Sequence, residues 1–167
     1  MPGKTVGIAL DLGYPGSISR SSDNVIVNRI SAGVIPFGVA VARNPDNTVV
    51  AFGETHADAD FIGIAGRIVK QQTDIFSPMG GYKSMEPVDI IARGDVPVAF
   101  NGTGTPVAGG AVYIRVAENT AFPNAAIGDF EAQADGANTI LLENVRFTTG
   151  RTDANGVVEI TVLTRRI

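Results

Sequence analysis

Apolar positions in this chain recur every second residue in short runs, each closed by Gly, Pro, Asn or Asp. Such a period of two predicts strands at 25–30 (VIVNRI), 36–43 (PFGVAVAR), 48–53 (TVVAFG), 60–69 (DFIGIAGRIV), 86–93 (EPVDIIAR) and 95–101 (DVPVAFN). It predicts more at 111–118 (AVYIRVAE), 139–149 (TILLENVRFTT) and 156–164 (GVVEITVLT). Val112, Ile114 and Val116 share one face, opposite Tyr113 and Arg115; Val158, Ile160 and Val162 share another, opposite Glu159 and Thr161. Turn chemistry separates the runs. NPDN at 44–47 and DANG at 153–156 read as hairpin turns, and RGD at 93–95 reads as a tight turn placing Gly94 between two strands. Close-spaced strands without β-α-β alternation predict an all-β fold: an antiparallel sandwich or barrel, of which a jelly roll is one form. One or two helical turns are expected near 66–76 (GRIVKQQTDIF).

The run SAGVIPFGVAVAR at 31–43 breaks the usual rule for a half-buried strand. Its large residues Phe37, Val39 and Val41 alternate with Gly38, Ala40 and Ala42, not with polar ones. Small side chains allow another backbone to approach closely. The small face then packs inside the protein's own sandwich, or receives a second chain or the protein's own N-terminal arm. That arm, residues 1–24, is rich in Gly, Ser, Pro and Asp and precedes a single β-rich domain over 25–167; it reads either as a frayed terminus or as an extended segment that orders on a partner. Fully extended it would reach about 80 Å, against a radius of gyration of about 15 Å for a domain of this size. Ordering it costs more than its apolar anchors return, so it needs hydrogen bonds such as a sheet edge supplies.

Composition narrows the function. The chain has 167 residues and no cysteine, which excludes a disulfide scaffold, a thiolate nucleophile and a Cys-based zinc site. A net charge of -4 without a basic run gives no phosphate-binding footprint, so no nucleic-acid partner is expected. No apolar stretch reaches the ~18 residues of a membrane helix. MPGKTVGIALDLGYPG lacks the features of a signal peptide, so synthesis in the cytoplasm and no membrane partner are expected.

Candidate chemistry is sparse. His56, the one histidine, lies in HADAD with Asp58 and Asp60; on a strand the three would share a face and could form a hard-metal cluster, but no further acidic cluster completes a shell, and a polar loop tip between two strands explains them better. DANG at 153–156 resembles the start of a calcium loop, but Thr164 stands where the loop needs Glu. There is no G-x-S-x-G elbow, and GTGTPVAGG at 102–110 lacks the spacing of a phosphate cradle. Neither a cofactor nor a catalytic or metal residue is assigned.

The order of segments carries a resemblance. YPGSISR leads to a short strand, then to ISAGVIPFGVAV, FIGIA, the loop GGYKSMEP, VDIIARGDVPV, AGGAVYI and finally GVVEITV. Over residues 14–163, and most specifically at 31–41, 61–65 and 88–113, the chain resembles the structural cement, or head-decoration, proteins of tailed bacteriophages. The resemblance implies a β-rich, non-enzymatic protein on the outer surface of the virion's icosahedral capsid, bridging subunits of the major capsid protein. It also implies neighbouring copies as partners, a dimer or trimer on the capsid. The segment at 119–138 departs from the pattern and reads as an outer loop. Partner contacts are expected from Leu10, Leu12, Tyr14 and Ile18 of the arm and from Phe37, Gly38, Ala40 and Ala42 of the small-residue strand. The competing reading is a carbohydrate-binding or hydrolytic β-sandwich using His56, Asp58 and Asp60; the absence of Trp, a common stacking platform, counts against it.

Overall fold

The computed structural model describes residues 11–69 and 80–166. Its strands are β1 (Arg20–Ile30), β2 (Ile35–Pro36), β3 (Ala40–Arg43), β4 (Val49–Ala51), β5 (Phe61–Ala65), β6 (Gly81–Tyr82) and β7 (Pro87–Ala99). They continue with β8 (Ala111–Arg115), β9 (Phe130–Glu131), β10 (Thr139–Thr152) and β11 (Val157–Val162). One antiparallel sheet runs β4-β3-β5-β7-β11-β10-β8-β9, with β1 also on β7, and β2 pairs β6 separately. The protein is therefore all-β and antiparallel, as the period-two pattern predicts. Helix among the described residues is limited to 3-10 turns at Asp58–Asp60 and Gly136–Asn138. Of the helical turns expected at 66–76, residues 66–69 form none, and 70–76 lie outside the described residues.

β7 is the spine. One of its edges carries β1, in register from Ile26↔Ile91 to Ile30↔Pro87 and shifted at Val25↔Arg93; the other carries β11 along 94–99 and β5 at Ile90 and Ile91. The expected pair of strands at 86–93 and 95–101 is thus a single strand, and RGD is not a turn. Gly94 sits in the middle of β7, opposite Val162 at the end of the β11 ladder, at φ 122. A β-carbon there would collide with the Asn24 side chain, which fills the bulge that β1 makes between Arg20 and Val25. The glycine marks a close approach of neighbouring strands, the second common use of Gly in a sheet.

The sheet buries both faces near β3. Ala40 and Ala42 join the larger core with Phe61, Ile64, Ile91, Val112, Phe130 and Ile160. Phe37 and Val41 join a second core with Ile35, Val49, Tyr82, Val88 and Ile90. Membership of residues from both ends of the strand order in one core shows that the sheet curls around it. Because both faces are dry, the pattern alternates large with small instead of apolar with polar. The single strand expected at 36–43 is divided: β2 ends at Pro36, Gly38 turns at φ 76, and β3 starts at Ala40.

β1 begins at Arg20, earlier than the alternation at 25–30 suggests, and the residues before it continue along the same edge of β7. Gly16 N–H donates to Pro97 O at 2.9 Å and Ser19 N–H to Asp95 O at 3.3 Å. The edge hydrogen bonds that the arm requires are supplied for residues 16–20 by the protein's own sheet.

Candidate docking surface

The approach of the arm to the small-residue segment is a seam between two glycines. A β-carbon on Gly38 would lie 2.5 Å from Pro15 Cβ and 2.9 Å from Gly16 N, and one on Gly16 would lie 2.6 Å from Ala65 O and 2.8 Å from Gly38 N. Arg67 N–H donates to Gly16 O at 2.7 Å and Gly38 N–H to Ala65 O at 2.8 Å. Beside this seam Tyr14, Pro36, Phe37, Arg67, Asn101 and Asp129 line a cleft of about 260 Å³. The Arg67 guanidinium lies 5.0 Å from the Tyr14 ring centroid and 5.7 Å from that of Phe37, within cation–π range. Across the cleft, burial raises the Asp129 carboxyl above its ordinary range, against the hydrogen bond from Ala126 N–H that favours the charged form.

Of the residues expected to meet a partner, the structure brings Tyr14, Phe37 and Gly38 together here. Tyr14 is 71% exposed and Ile18 37%. Phe37 is buried, edge-on to Tyr82 at 5.3 Å between ring centroids. Leu12 is half-buried, and Leu10 lies outside the described residues. Ala40 and Ala42 need correction as surface candidates: at 1% and 0% exposure they are covered by the protein's own core. The small face that invited a second chain is filled by the larger core at Ala40 and Ala42 and by residues 15–16 at Gly38.

Polar contacts fasten the first residue of β1 and the segment before it. Arg20 reaches Glu159 through Nε and Nη2, both at 3.2 Å, and Glu159 is itself buried. Leu12 N–H donates to Asp153 Oδ2 at 3.0 Å. Asp153 also accepts N–H bonds from Asn155 and Val157 through Oδ1, both at 2.9 Å, which closes the DANG hairpin between β10 and β11. Burial works against its charge, yet the three backbone donors hold the carboxyl below the usual carboxylate range.

The 119–138 segment is fixed by a buried charge cluster that strand alternation conceals. Arg115, on the face of β8 opposite Ile114, is fully buried. Its Nε donates to Glu131 Oε1 at 2.5 Å and its Nη1 to Asp135 Oδ2 at 3.0 Å. Asn119 Nδ2 donates to both Asp135 oxygens, at 3.0 and 2.8 Å, which is the leading cause of that carboxyl's lowered proton affinity. The Phe122 ring stands 5.9 Å from the guanidinium carbon. Only the acidic residues following Arg115 in the sequence hint at this arrangement; which of them meet it depends on β9 pairing with β8.

HADAD is not on a strand, so the shared face expected for His56, Asp58 and Asp60 does not form. His56 Nδ1 accepts from Gly53 N–H at 3.0 Å, and Asp60 Oδ2 accepts from Ala57 N–H at 2.8 Å. Asp58 accepts from Glu143 N–H at 3.0 Å and pairs with Arg166 at 2.9 Å. Each side chain is engaged in local structure, and no group of three metal-ligating side chains occurs among the described residues. Nor is any helix among them long and apolar enough to cross a membrane.

A comparison with solved structures aligns 97% of the chain with 97% of a chain from "The capsid of Myoviridae Phage XM1", with a TM-score of 0.73 at 14% identity. At that identity the likeness is one of fold. No curated protein sequence matches this one. The family model described as structural cement protein (E217 gp24/Pam3 gp6) matches residues 2–163. By that match, over nearly its whole length, the chain belongs to the structural cement protein family of bacteriophage capsids.

Proposed function

We propose that this protein decorates the outer surface of an icosahedral phage head, where it binds the major capsid protein and bridges adjacent subunits. The family match across residues 2–163 carries this reading. The fold supports it by what it builds. Rigid strands hold short surface segments in place, and His56, Asp58 and Asp60 are engaged in turns and an ion pair. The role is non-enzymatic and needs no cofactor. Synthesis takes place in the host cytoplasm, and neighbouring copies meet on the capsid as dimers or trimers.

Leu12 is tied to the β10–β11 turn by Asp153. In this reading Leu10, with Tyr14 and Ile18 of the exposed stretch, supplies apolar contacts to the capsid. A modest interface suffices, because contacts repeated by symmetry act as a multivalent set. The test is co-sedimentation of purified protein with undecorated capsids. Saturable binding at a fixed ratio to the major capsid protein is expected; absence of saturable binding overturns the proposal.

A further inference from the structure

At one end of the β1–β7 ladder, the turn residues 31–34 (SAGV) face 83–86 (KSME), between the pairs Ile30↔Pro87 and Ile35↔Tyr82. Ser31 is fully buried between them. Its Oγ lies 2.6 Å from Lys83 O and 3.1 Å from Glu86 N, and its backbone donates to Glu86 O and accepts from Met85 N–H, both at 2.9 Å. Glu86 Oε2 accepts from Lys83 N–H at 2.7 Å, and Ser84 Oγ donates to Ala32 O at 3.3 Å.

This bracing holds Met85 at φ 66. Among the described residues the other non-glycine at positive φ is Asn47, a type that tolerates it in turns. Methionine has no such tendency, so the tip keeps a strained conformation that a glycine would adopt freely. The strain gains the core nothing: Met85 is 75% exposed, Val34 72% and Ile30 42%. A tightly braced turn that holds large apolar side chains in water is preorganised for an interface.

We infer that the paired turns at 31–34 and 83–86 form a rigid apolar knob that seats in an apolar pocket on the major capsid protein. The inference rests on the proposed capsid-binding role and names the contact that serves it. The rim carries one cation, Lys83, and one carboxylate, Glu86, so nothing at the tip attracts an anionic lipid surface. A second copy's cleft beside Tyr14 is edged by Arg67 and Asp129, a poor match for a thioether and an isopropyl group. A flexible methionine adapts well to an irregular apolar pocket.

The experiment measures binding isotherms on undecorated capsids for wild type, Met85→Asp, Val34→Asp and Met85→Gly, with thermal melts of each free protein. Loss of one buried apolar side chain should weaken binding by about 10- to 150-fold. Val34→Asp should do so with a wild-type melting curve, and Met85→Asp with one no lower than wild type, since Asp tolerates positive φ better than Met. Met85→Gly relieves the left-handed strain, so it should bind more weakly while melting higher. Wild-type affinity in both Asp variants, on capsids that the wild type decorates, overturns the inference alone. So does a changed sedimentation coefficient of the free protein with capsid affinity intact, which would seat the knob on a second copy. A wild type that does not bind overturns the proposed function, and this inference with it.

Discussion

The glycine seam can be tested by substituting both sides of it. Gly38→Ala places a β-carbon 2.5 Å from Pro15 Cβ, and Gly16→Ala places one 2.6 Å from Ala65 O; both residues have positive φ, at 76° and 81°. The left-handed backbone costs an alanine about 1–2 kcal/mol at either site. The collision adds a second cost, because residues 15–16 must lift away. That breaks the bonds from Gly16 N–H to Pro97 O and from Arg67 N–H to Gly16 O, worth about 0.5–1.5 kcal/mol each. Each single variant should therefore lose about 2–5 kcal/mol. The double variant pays the two backbone costs but opens the seam only once. It should fall short of the sum by about 1–3 kcal/mol, the two hydrogen bonds being lost once and not twice, which lies within the range seen for residues in contact. Urea unfolding of the four proteins, with equal m-values, gives the coupling directly. Additivity within about 0.5 kcal/mol, the behaviour of independent sites, would refute the packing of the arm on Gly38.

Arg115→Met should cost about 3–5 kcal/mol by stranding the buried Glu131 carboxylate, and Arg115→Met with Glu131→Leu should recover much of that loss in the same unfolding assay. For Asp153 the folded carboxyl titrates below its unfolded value of 3.8, so its contribution is complete above that pH and is lost as pH falls through the lower folded value. Asp153→Asn should accordingly lower the urea midpoint at pH 6 and flatten its fall below pH ~4; an unchanged acid limb would contradict the assignment. Asp58→Ala should cost about 1–2 kcal/mol through the lost Glu143 bond and Arg166 pair while leaving capsid occupancy unchanged.

The strands were legible because period two survives in any sheet with a buried face, and Val158, Ile160 and Val162 do lie in the core. Strand ends were less so. The pattern puts Gly38 inside a strand and Gly94 in a turn, yet Gly38 turns the chain between β2 and β3 and Gly94 sits inside β7. The difference lies in what approaches them, Pro15 in one case and Asn24 in the other, and both partners are remote along the chain. The same limit hid Arg115. Alternation puts it opposite Ile114 and therefore in water, but β9 pairs beside β8 and sets Glu131 on the same face, and the 119–138 segment brings Asp135 to it. Tyr14, Phe37 and Gly38 stand out by their character, whereas Arg67 and Asp129 come beside them only through tertiary packing. Met85 carried no signal, since its exposure and positive φ follow from the brace at Ser31.

Thermal release of DNA from heads with and without this protein tests whether it strengthens a phage head. Heads stripped of the protein should release DNA at a lower temperature than decorated heads, and adding back purified protein to saturation should restore the higher temperature. Identical release temperatures for bare, decorated and reconstituted heads would contradict the account.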